Sequence, residues 1–68
     1  MSTSPYATVA DELAARIAAL IPSNPEILDM TSPWDLFSLK DFKCDDLQPS
    51  LAQAAFALGK AKQSVTNR

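Results

Sequence analysis

The chain offers little from which chemistry could be built: one thiol, Cys44, no histidine, and three carboxylates beside that thiol, Asp41, Asp45 and Asp46, in the run DFKCDD. A cysteine nucleophile works as its thiolate and takes its base, usually a histidine, from within hydrogen-bond reach. No such base exists here, so Cys44 reads as a buried or incidental thiol. Paired carboxylates perform acid and base catalysis when a cleft fixes them around a substrate. Asp45 and Asp46 read more simply as the acidic opening of a helix, and Asp41 as part of a solvated loop. One cysteine closes no intramolecular disulfide, the histidine and cysteine ligands of a structural zinc site are missing, and a single glycine cannot make a phosphate-cradling loop. The expectation is a protein with no catalytic residue, no cofactor and no metal.

Size and charge narrow the classes further. At 68 residues the chain has room for one domain with a modest core, and small scaffolds without disulfide or metal lean on a second copy or a partner. Six lysines and arginines against eight aspartates and glutamates, a net charge of -2, provide no field for phosphate backbones, so no nucleic-acid partner is expected. An acyl carrier would have similar size and charge but needs its attachment serine in an Asp-Ser-Leu motif. Serines stand in TSPY, PSNP, TSPW, FSLK and PSLA, and no serine of the sequence, Ser2 and Ser64 included, follows an aspartate. MSTSPYATVADEL carries no basic leader, and no run approaches the roughly 20 apolar residues of a membrane span, which predicts a cytoplasmic protein with no membrane partner.

The elements that would position any surface are helical. Tyr6, Ala10, Leu13, Ile17 and Leu20 recur in steps of four and three, the seam of a helix over about 5–21 that Pro22 stops. Ser23 with Glu26 and Ser32 with Asp35, each pair enclosing a proline, predict short helices over 25–30 and 33–39. Leu47, Leu51, Ala54, Leu58, Ala61 and Val65 give a last helix over 46–64 with a frayed tail at 65–68, its Lys60 and Lys62 solvated and suited to the dipole. Ala14 with Ala18, Ala15 with Ala19, and Ala55 with Gly59 place small residues four apart, a spacing that permits close approach of helices and accounts for a mid-helix glycine. The fold class is all-α: an antiparallel hairpin of two longer helices, with one or two short helices across it, forming a homodimer.

The hydrophobic fraction, 47%, includes eleven alanines, so the large anchors are few and informative. SPWDLFSLKDFKC holds the only tryptophan and two of the three phenylalanines. That is more large apolar surface than two thin Ala-rich helices can cover, and it points Leu36 and Phe37 inward with Trp34 nearer the rim. Phe56 lies about 200° around the last helix from Leu58 at 100° per residue. It is therefore either covered by Trp34 or Phe37 or left for a partner. Trp34, Phe37, Phe42, Phe56, Gly59 and Tyr6 are the candidate partner-binding residues.

SLAQAAFALGKAK, Ser50 to Lys62, resembles the C-terminal Ala-Leu-Gly helix of the small phage-encoded quorum-sensing anti-activators, over about a fifth of the chain. Leu51, Ala54, Ala55, Ala57, Leu58 and Gly59 are the matching positions. The resemblance implies a dimeric helical phage accessory protein that blocks a host regulator or a motor ATPase. Both lines converge on a non-catalytic interaction module, an inhibitor or modulator of a larger host cytoplasmic protein. The alternatives are a small structural or assembly subunit completing a homo-oligomer, and a DNA-associated regulator, for which the last helix has only Lys60 and Lys62.

Overall fold

The computed structural model describes residues 5–67, with side chains from residue 7 onward. Among them there is no strand: α1 (Pro5–Leu20) is followed by a 3₁₀ helix (Pro25–Asp29), α2 (Pro33–Phe37) and α3 (Leu51–Thr66). The two long helices pack against each other, and α2 rests on α3.

Helix α1 buries Ala10, Leu13, Ala14, Ile17 and, just past its end, Ile21. These lie three or four residues apart on one stripe, so burial follows from the periodicity alone. Pro22 ends the helix, and Asn24 closes the open end twice, its backbone N–H and its side-chain Nδ2 both donating to the Leu20 carbonyl at 2.9 and 3.2 Å. The 3₁₀ helix and α2 each insert one fully buried residue beneath the long helices, Ile27 and Leu36. Ser32 caps α2 by accepting from the Trp34 N–H.

The start of α3 corrects the expectation drawn from Asp45 and Asp46: the helix begins at Leu51, five residues after 46, and extends through Thr66. Residues 45–47 form a turn, and Gln48 takes a left-handed backbone with φ 46. The residue before a proline is disfavoured in right-handed helix, and Pro49 occupies the next position. Ser50 then opens the helix with a capping box. Its Oγ accepts from the Gln53 N–H at 3.1 Å, and Gln53 Oε1 accepts from the Ser50 N–H at 2.7 Å.

The buried stripe of α3 comprises Gln53, Ala54, Ala57, Leu58 and Ala61. Leu51 lies about 90° from the centre of that stripe at 100° per residue, which explains why it is 46% exposed rather than in the seam. Gln53, a polar residue in that stripe, is buried because it serves the cap. The small residues that let the helices approach are Ala10, Ala14, Ala54, Ala57 and Ala61, all buried, while Ala15, Ala19, Ala55 and Gly59 face outward. A Cβ added at Gly59 would meet nothing within 4 Å, so close packing inside the chain does not account for this glycine.

Side chains fasten the two long helices to each other and to the segments between them. Lys60 pairs with Asp11, and Lys62 donates to the Met30 carbonyl, so neither lysine is simply solvated. Arg16 reaches Asp46 with both terminal nitrogens, at 2.8 and 2.7 Å, and also pairs with Glu12 one turn back at 3.2 Å.

Candidate functional site

Of the six candidate contact residues, three form one group. Ser32 and Pro33 start α2 just where Trp34, Leu36 and Phe37 must be divided between core and solvent: one turn of helix sends Leu36 inward and Trp34 out. Phe37 lies between them, packed against the edge of the core. Its ring meets Trp34 edge-on, with centroids 6.4 Å apart, and stacks against Phe42 at 6.2 Å with the planes 19° apart. Phe42 is 7% exposed and belongs to the core, which narrows its part in any contact to supporting Phe37. The row runs from a buried ring to an indole that is 65% exposed.

Phe56 and Gly59 form a second group on the outer face of α3. Phe56 is 58% exposed and lines a shallow depression with Ala55, Gly59, Lys60 and Gln63. Of the two alternatives open for Phe56, cover by Trp34 or Phe37 and exposure, the structure shows exposure. The reason is geometric: α2 lasts five residues and directs Trp34 to solvent. The side chain of Tyr6, the sixth candidate, lies outside the described residues.

Between Phe37 and the start of α3 the irregular segment folds around a hollow of about 430 Å³, lined by Phe37, Phe42, Cys44, Asp45, Gln48 and Pro49. Residue spacing gave no sign of this hollow, because it is made by a turn and a left-handed residue rather than by a periodic element. Arg16 holds the segment next to the hollow by gripping Asp46 and donating to the Lys43 carbonyl. The guanidinium hydrogen bonds, helped by the backbone N–H groups of Asp46 and Leu47, hold the Asp46 carboxyl down at about 2 against an ordinary 3.8. Burial, with the charge of Asp45 second, pushes the Cys44 thiol up, so the thiolate a nucleophile needs is disfavoured.

No family model, curated protein or solved structure matches the chain. The site is therefore described by its own chemistry. Among the described residues no three histidine, cysteine or carboxylate side chains stand together as a metal-binding group, and no helix is long and apolar enough to cross a membrane. What the surface does present is large apolar side chains: Leu28 at 41% exposure and Leu51 at 46%, with the two aromatics well above them.

Proposed function

We propose that this chain is a non-catalytic protein-interaction module, a small inhibitor or modulator that binds a larger host cytoplasmic protein such as a transcriptional regulator or an ATPase. The observation that carries this reading is the exposure of Trp34 at the end of a packed aromatic row. An indole anchored from behind by Phe37 is a rigid, amphipathic contact, the type of side chain that dominates binding energy when a partner desolvates it. The resemblance of residues 50–62 to phage anti-activators agrees with this reading and suggests the same class of target.

The fold proposed for the module is an antiparallel hairpin. Its support is the opposite order of the two edge contacts, Asp11 with Lys60 and then Arg16 with Asp46. Capture of the tagged chain from its native cytoplasm tests the function: one host protein is recovered in stoichiometric amount by the native sequence and lost with Trp34→Ala. Recovery that Trp34→Ala leaves unchanged argues against the aromatic row as the contact.

A second reading, a homo-oligomeric assembly subunit, is favoured by one observation of its own. Gly59 stands open beside Phe56, and a glycine with space around it leaves room for the close approach of another helix. Light scattering after size exclusion separates the readings. A closed oligomer that dissociates with Phe56→Ala, and captures no host protein, supports the assembly subunit.

A further inference from the structure

We infer that the hollow between Phe37 and Pro49 is a notch for a guanidinium, and that the partner's contact segment carries an arginine that enters it. This deepens the interaction reading and rests on it, since it names the chemistry of the partner at the same aromatic segment.

The argument begins with charge. Residues 26–46, which carry Trp34, Phe37 and Phe42, hold six carboxylates, Glu26, Asp29, Asp35, Asp41, Asp45 and Asp46, against Lys40 and Lys43 alone. The acidity of the chain is concentrated in the segment that presents its aromatics. Asp46 is neutralised by Arg16, and the remaining five carboxylates have no ion-pair partner among the described residues. A basic contact segment is the electrostatic complement of such a surface.

The hollow itself narrows the choice of cation. Its volume, about 430 Å³, falls within the range of specific ligand sites, and its wall joins apolar and polar surface in similar shares. Asp45 is the only charged side chain on that wall, since the Cys44 thiol stays protonated at neutral pH. Phe37, backed by the buried Phe42, supplies ring surface, and Gln48 an amide. A flat cation that stacks on a ring and offers paired N–H donors to a carboxylate matches this set, and among side chains that describes arginine rather than lysine. The adjacent Asp46 is already gripped at two points by Arg16, which leaves Asp45 as the carboxylate open to a second guanidinium.

The test is a titration of the full chain with acetyl-Gly-Arg-Gly-amide, followed by amide shifts in two-dimensional NMR and by the rate of Cys44 alkylation with iodoacetamide. The inference predicts shifts centred on residues 42–49 and slower alkylation as the peptide fills the hollow. The citrulline peptide, of the same shape without the charge, binds about tenfold more weakly or worse, and so does the arginine peptide on Asp45→Asn. Equal binding of the arginine and citrulline peptides, shifts outside 42–49, or no shifts at all overturn it. Host-protein capture by Asp45→Asn and Trp34→Ala distinguishes the two levels. If Trp34→Ala abolishes capture while the peptide fails, the notch is wrong and the interaction reading stands. If the peptide binds as predicted while capture ignores both substitutions, the host protein is held elsewhere, and the assignment of the aromatic segment as the contact is what falls.

Discussion

Arg16 and Asp46, thirty positions apart, meet in a two-point salt bridge of 2.8 and 2.7 Å that fastens the irregular segment before α3 to the side of α1. Both groups are substantially exposed, so the pair acts as a positioning contact more than as a source of stability. Its carboxyl titrates at about 2 in the folded chain and near 3.8 when free, a depressed folded value. The stability it contributes is therefore complete above pH 3.8 and disappears as the pH falls toward 2. Asp46→Asn lowers the melting temperature slightly at neutral pH and low salt. The gap from the native chain closes in acid and shrinks in high salt, as thermal melts across pH and ionic strength will show. A gap that persists unchanged at pH 2 contradicts this assignment.

Leu36 and Trp34 are neighbours on α2 with opposite roles. Leu36 is fully buried, and Leu36→Ala costs about 2–5 kcal/mol, enough to unfold much of so small a chain. Trp34→Ala, at an exposed position, changes stability by about 0.5 kcal/mol or less. Urea denaturation of the two variants checks the contrast, and a strongly destabilised Trp34→Ala would place the indole in the core after all.

Gly59 weakens α3 without any packing return inside the chain. Gly59→Ala raises stability by about 0.5–1 kcal/mol, read from the denaturation midpoint. If the same variant binds its partner or its own copy less well, the open glycine belongs to a contact surface, because the methyl group then stands where another helix must approach.

Gln48 holds a left-handed backbone, φ 46, that glycine adopts freely and β-branched residues resist. Gln48→Gly is neutral or stabilising by up to about 1 kcal/mol, whereas Gln48→Val costs about 1–2 kcal/mol. Equal stability of the two variants would show that the turn relaxes without effort.

The sequence made some of this legible and hid the rest for physical reasons. Ala10, Leu13 and Ile17 announce the inner face of α1 because helical periodicity and burial are the same fact seen twice. The outward direction of Phe56 follows from its angle to Leu58 in the same way. Two aspartates look like a helix opening, whereas α3 begins five residues later at the capping box of Ser50 and Gln53, which is also written in the sequence. Whether Trp34 or Phe37 covers Phe56 stays open in the sequence because it depends on the path of a five-residue helix. The Arg16–Asp46 bridge joins distant segments and the hollow is shaped by an irregular one, and neither leaves a periodic pattern in the sequence.

The most direct test of the central claim uses Trp34, the only tryptophan, as its own reporter. The chain is labelled with 5-fluorotryptophan, and its fluorine resonance is followed with and without the host protein it captures. A free indole that is 65% exposed gives a resonance that shifts between H₂O and D₂O. The account predicts that in the complex this solvent shift is lost and the resonance moves. A stable complex in which the resonance keeps both its position and its solvent shift contradicts the claim that the aromatic row is the contact surface.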